Sequence, residues 1–239
     1  MTSKINYIAH RGLHNEIVPE NSMLAFKKAI EKNIAIELDL QITKDNKVIV
    51  FHDRNLKRMT GIDKLVDECL YEELKDIKLN NSEETIPNFK DVLNLVAGKV
   101  FLDIEIKHYK HSIRLLNEVY KLLKDYKGSY SIKSFSPIIP YLFKKRNPNT
   151  QCGALVGNLD KARIPKFMKK ILLELRYLPF YKPDFVAYNI DEINKEIIDK
   201  LQKYNIPLHL FTIKDKNILN KAKKISNTLI IEGIEKETE

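Results

Sequence analysis

The chain has 239 residues, 44% of them hydrophobic and 31% charged, enough for a substantial core and close to the usual size of one α/β barrel. Forty-one Lys and Arg against 32 Asp and Glu give a net charge of +9, a bias toward anionic partners such as phosphate esters or acidic membrane surfaces. The lysines are scattered, and basic and aromatic residues do not interleave, which argues against a nucleic-acid-binding module; Cys69 and Cys152 are too few for a disulfide framework or a cysteine metal site.

The opening MTSKINYIAHRG carries only a short apolar run before charge returns, unlike a signal peptide. No stretch approaches the ~18 uncharged apolar residues of a transmembrane helix. The expected location is the cytoplasm, with membrane association at the periphery as an added expectation.

Short β-branched runs then alternate with longer amphipathic stretches, the pattern of βα units and a parallel sheet. Strands are expected near 5–9, 35–40, 100–106, 129–134, 151–156, 184–188, 207–212 and 228–232. Helices are expected over 21–32, 88–97, 111–125, 137–145, 193–203 and 216–225. Eight strands with intervening helices fit a single domain over 1–239, an α/β TIM-like (β/α)8 barrel. The runner-up, an open doubly wound sheet, lacks its Gly-rich first turn, because the first strand runs into His10-Arg11-Gly12.

One run breaks the alternation. Residues 47–51 follow the second strand after Lys44-Asp45-Asn46, too few residues for a parallel crossover, so a small antiparallel hairpin excursion is expected after strand 2. It returns His52 close to Glu37 and Asp39. Residues 157–183 are longer than an ordinary connection and mix basic with bulky apolar residues. They read either as a barrel helix with a loop or as a lid or membrane-facing segment.

In such barrels, polar residues at strand C-termini read as functional. Glu37 and Asp39 are two apart on one strand face, and Glu105 and Lys107 share a face of the next barrel strand. An unpaired carboxylate in an apolar strand is costly. Glu37, Asp39 and Glu105 together ask for a cation, and oxygen-only ligation suits Mg²⁺ or Ca²⁺. The competing reading pairs some of them with Lys107 or Arg11. His10 and His52 sit at the same strand ends, and as a pair flanking a metal site they suit proton transfer near neutral pH; each alone reads more often as a hydrogen-bonded structural histidine. Arg11 and Lys107 suit the non-bridging oxygens of a phosphate. His14, His108, His111 and His209 have no such context.

The ordered set HRG (10–12), PENS (19–22), ELD (37–39), FHDRNLKRMTG (51–61), IPNF (86–89) and DIEIK (103–107) resembles the glycerophosphodiester phosphodiesterases across roughly the first 110 residues. Fainter echoes follow in KSFSP, CGALV and LFTIKD. The resemblance implies that Glu37, Asp39 and Glu105 hold a divalent metal and that His10 and His52 are the catalytic pair. It implies that Arg11 and Lys107 hold the phosphate, that Glu20 lines or organises the site, and that Phe211 supplies an aromatic wall where the family has tryptophan. Ser22 replaces the family's threonine while keeping a hydroxyl able to cap the next helix. The last strand, LIIEGIE, lacks the family's Thr-Asp ending.

The function so implied is metal-dependent hydrolysis of a small-molecule glycerophosphodiester to glycerol 3-phosphate and an alcohol. A lysophospholipase-D-like activity on lipid substrates is the alternative with the same site. A non-catalytic phosphodiester-binding barrel is the alternative of another class.

Overall fold

The computed structural model describes residues 5–157, 159 and 164–234. The chain forms two compact units, residues 8–132 and residues 1–7 with 133–239.

The first unit begins with the end of β1 (Asn6–Ala9) and continues through α1 (Met23–Glu31), β2 (Ala35–Ile42) and β3 (Val48–Val50). Strand β2 pairs in parallel with β1 and with β4 (Leu102–Ile106), and its register sets Glu37 beside Asp103 and Asp39 beside Glu105. All five residues of β4 are buried, the signature of a strand covered on both faces.

Helix α1 starts where Ser22 accepts a hydrogen bond from the Ala25 N–H, and it buries Ala25, Phe26 and Ala29, the spacing of one helical face. The turn before it depends on glycine: Gly12 has φ +80°, and an added Cβ would lie 2.9 Å from the Ala25 Cβ.

The expected hairpin is present. Strand β3 pairs antiparallel with β2, Leu40 opposite Val50 and Ile42 opposite Val48. Asn46, in the left-handed region at φ 66°, makes the turn, a conformation asparagine tolerates better than most residues. The Phe51 N–H donates to the Asp39 carbonyl, which fixes where the returning chain delivers His52.

Beyond β3 lies an insert without sequence periodicity: α2 (Lys57–Thr60), a 3₁₀ turn (Val66–Glu68) and α3 (Tyr71–Leu74). It folds over its own small core, in which Phe51, Leu56, Met59, Val66, Leu74 and Leu79 are buried together. The unit closes with α4 (Phe89–Val96), capped by Asn88, then α5 (Ser112–Leu123) and the start of β5 (Tyr130–Ser134).

The second unit holds the end of β5, then α6 (Ile138–Arg146), β6 (Gln151–Val156), α7 (Lys166–Leu173), β7 (Phe185–Asn189), α8 (Lys195–Lys203), β8 (Leu208–Ile213), α9 (Lys216–Ala222) and β9 (Thr228–Ile231). Strands β6, β7, β8 and β9 pair in parallel, each with the next. Helices α8 and α9 begin at side-chain caps from Asn194 and Asp215.

The strands follow the order β1-β9-β8-β7-β6-β5-β4-β2-β3, with β1 also bonded to β2. The fold is therefore the closed (β/α)8 barrel, with β3 as the hairpin appendage. Among the described residues, no helix is long and apolar enough to cross a membrane. Both cysteines are free and buried. Part of the 157–183 segment, residues 158 and 160–163, lies outside the described residues; the rest includes α7, which buries none of its own residues.

Candidate active site

Three carboxylates converge in the first unit. Glu37, Asp39 and Glu105 are 2%, 0% and 5% exposed. An oxygen from each lies within 4.8 Å of the others, close enough to share one ion. The convergence follows from register: alternation puts 37 and 39 on one face of β2, and the β2–β4 pairing brings Glu105 level with Asp39.

Two cations reach into the cluster. The Lys107 Nζ lies 2.7 Å from Asp39 Oδ1 and 2.6 Å from Glu105 Oε1. Arg11 approaches Asp39 Oδ2 at 3.4 Å through Nε, and its backbone N–H donates to Glu37 Oε2 at 3.0 Å. Asn21 donates to Asp39 Oδ2 at 2.9 Å.

The electrostatics divide the carboxylates. Burial works to raise the Asp39 pKa, but the charges of Lys107, His52 and Arg11 outweigh it and hold that carboxyl well below its usual range. Glu105 goes the other way. Burial pushes it up, and the like charges of Asp39 and Glu37 add to the rise despite Lys107. Burial opposes the Lys107 charge, yet Asp39 and Glu105 more than compensate and raise its pKa. Three buried carboxylates against these cations leave Glu105 short of positive charge, and the donor set is oxygen only. Both features fit a hard divalent cation.

The two histidines come from different elements, and the charge of His52 is felt at Asp39. His52 follows β3, and its Nδ1 lies 2.7 Å from Asp53 Oδ1; a ring so tied on one nitrogen presents the other to a substrate. Asp53 is in turn bound by Arg58. The Gln41 side chain donates to the carbonyls of Phe51 and Asp53, pinning the backbone on both sides of His52.

His10 follows β1 and precedes Arg11, whose φ of 56° turns the chain back toward β2. His14, which sequence context left without a role, has a ring nitrogen within 4.8 Å of one of His10's.

Glu20 forms a second polar layer. It accepts from Arg11 at 2.7 Å and from Arg58 at 2.7 and 2.9 Å. Burial would raise its pKa, but the hydrogen bond from Arg58 and the charges of Arg11 and Arg58 lower it. Phe211 belongs to the second unit, where it is a buried residue of β8.

Asn21, Gln41, Asp53 and Arg58 were not singled out by sequence reasoning. Their sequence signals, the Asn of PENS and the Asp and Arg of FHDRNLKRMTG, became meaningful only with partners up to 38 residues away.

The chain matches the glycerophosphoryl diester phosphodiesterase family over residues 10–234. It belongs to that family. It is also 32% identical over 241 residues, 95% of this chain and 91% of the other, to a glycerophosphodiester phosphodiesterase of Bacillus altitudinis. In fold it is similar to an Oleispira antarctica phosphodiesterase solved with the product sn-glycerol-3-phosphate, with a TM-score of 0.81 and 19% identity over 95% of this chain and 92% of that one. It is likewise similar to a glycerophosphodiester phosphodiesterase from Thermotoga maritima, with a TM-score of 0.75 and 24% identity over 95% of this chain and 94% of that one. The family motifs HRG, PEN, E-x-D, HD and E-I-K all contribute residues to the cluster described above.

Proposed function

We propose that this chain hydrolyses a glycerophosphodiester to glycerol 3-phosphate and an alcohol, with His10 and His52 as the proton-transfer pair. The observation that carries the reading is the buried group of Glu37, Asp39 and Glu105 with Lys107 and Arg11 inside it. Family membership supplies the substrate class.

Glu37, Asp39 and Glu105 would hold one Mg²⁺ or Ca²⁺, which when bound supplies Lewis-acid polarisation of a coordinated oxygen. Arg11 and Lys107 bind non-bridging phosphate oxygens, because each retains N–H donors beyond those given to carboxylates. One histidine takes the proton of the attacking hydroxyl, and the other donates a proton to the departing alkoxide. Asp53 holds the His52 ring through Nδ1 and leaves Nε2 for that transfer. The attacking oxygen is the neighbouring glycerol hydroxyl, giving a cyclic phosphate that a second step opens. Arg58 and Glu20 keep Arg11 and Asp53 in place.

The test is turnover of a glycerophosphodiester by His10→Ala and His52→Ala with Mg²⁺ or Ca²⁺ present. Each variant should lose at least about 100-fold in kcat, the usual scale of general acid–base catalysis. Near wild-type rates in both would end the reading.

We also propose that the exposed part of residues 164–183 meets acidic membrane surfaces from the cytoplasmic side. Phe167 is 66% and Phe180 92% exposed, among Lys166, Lys169, Lys170 and Lys182. Exposed aromatics amid lysines are the composition of an interfacial segment. This contact is compatible with glycerophosphodiester or lysophospholipid substrates.

A further inference from the structure

The sheet ladder between β2 and β3 ends at the Leu40–Val50 pair, two residues short of His52. Two groups of β2 take over from it. The Asp39 carbonyl accepts the Phe51 N–H at 2.9 Å. The Gln41 Nε2 donates to the Phe51 carbonyl at 2.9 Å and also to the Asp53 carbonyl. A primary amide nitrogen carries two N–H groups, and Gln41 gives one to the peptide on each side of His52.

This tether is deep and the ring it carries is not. Gln41 is 4% exposed and Phe51 2%, whereas the His52 side chain is 31% exposed. Core packing therefore does not place the imidazole, and its position is inherited from the backbone beneath it and from Asp53, 2.7 Å from Nδ1. The Asp53 backbone is in turn held by Gln41 and its side chain by Arg58. Alternation puts residues 37, 39 and 41 on one face of β2. One strand thus carries two carboxylates of the buried cluster and the tether of the histidine whose charge is felt at Asp39.

We infer that Gln41 is a positioning residue for His52, its two N–H groups fixing where the imidazole stands relative to Glu37 and Asp39. Gln41 acts through His52 and not on the substrate. The inference rests on the phosphodiesterase reading and on the proton-transfer role given there to His52. A misplacement of about 1 Å in a reacting group costs on the order of 100-fold in rate, so a loosened 51–53 segment reads out in kcat.

The experiment is a double-mutant cycle on glycerophosphoglycerol with Mg²⁺ or Ca²⁺ present, using wild type, Gln41→Leu, Gln41→Glu, His52→Ala and the two double variants. Leucine has no N–H to give, and glutamate keeps the shape but turns acceptor oxygens toward both carbonyls. Each Gln41 variant should lose roughly tenfold or more in kcat, with KM changed less than about threefold. In the His52→Ala background the same substitutions should change kcat by less than about twofold, because the group they position is gone. Amide hydrogen exchange over residues 51–54 should also speed up in Gln41→Leu while β4 stays as slow as in the wild type.

Equal losses in both backgrounds, wild-type kcat in both single variants, or unchanged exchange over 51–54 overturns the inference while the phosphodiesterase reading stands. Failure of both Gln41 variants to fold, with His52→Ala folded, overturns it too, since Gln41 would then support the fold as a whole. Wild-type turnover by His52→Ala removes the group to be positioned, and the inference with it. No turnover by the wild type overturns the phosphodiesterase reading itself.

Discussion

Arg58 is the residue on which the polar layer around the site turns. It holds Glu20 with two hydrogen bonds and Asp53 with a third. Both carboxylates are lowered from their ordinary pKa: in each, burial opposes the shift and is outweighed, by Arg58 and Arg11 at Glu20 and by His52 and Arg58 at Asp53. A carboxylate with a depressed folded-state pKa stabilises the fold above its unfolded pKa, and that contribution fades as pH falls through the folded value. Arg58→Met should therefore lower Tm at neutral pH, and its gap from the wild type should narrow progressively as pH drops from about 5 toward about 1. Thermal melts across that range check it; a gap independent of pH would show that Arg58 acts by packing alone. The Arg58 partnerships were not legible in the sequence, because Arg58 and Glu20 lie 38 residues apart and no periodicity connects them. The Glu37, Asp39 and Glu105 group was legible because period-2 alternation states which side chains share a strand face.

At the scale of elements, what was legible was what geometry forces. The five residues between β2 and β3 are too few for a parallel crossover and allow only a hairpin, and the structure has it, in the register that sets Leu40 opposite Val50. The barrel strands and helices appear within a few residues of their expected limits, since apolar periodicity marks them directly. The insert beyond β3 was opaque for a physical reason. Its helices are four residues each, about one turn, too short to show a helical repeat. They hold because nine buried side chains from several turns share one small core.

The β1–α1 turn is the element most exposed to a single change. Gly12 sits at φ +80°, with Ala25 and Phe26 atoms 2.9–3.0 Å from where a Cβ would be. Gly12→Ala should cost about 1–3 kcal/mol through backbone strain and overlap with α1. Urea denaturation measures it, and an unchanged midpoint would contradict the steric account.

For the molecule as a whole, the charge balance of +9 and the apolar residues left in solvent make a joint prediction. Neither Phe167 nor Phe180 has a burial role; removing them should not weaken the fold, but should weaken attachment to acidic bilayers. Co-sedimentation should show binding to phosphatidylglycerol vesicles, little binding to phosphatidylcholine vesicles, and loss in Phe167→Ser/Phe180→Ser. Equal binding of wild type and variant would remove this segment from any membrane role.

The proposed metal requirement is tested most directly by turnover of glycerophosphoglycerol by metal-depleted protein as Mg²⁺ or Ca²⁺ is titrated back, with Glu105→Gln alongside. Activity should vanish on depletion and return with the ion in the wild type. Glu105→Gln should recover only at much higher ion concentration or not at all, having lost one of the three proposed charged ligands. Full turnover by wild-type protein in excess chelator, or an identical titration curve for Glu105→Gln, would contradict the account.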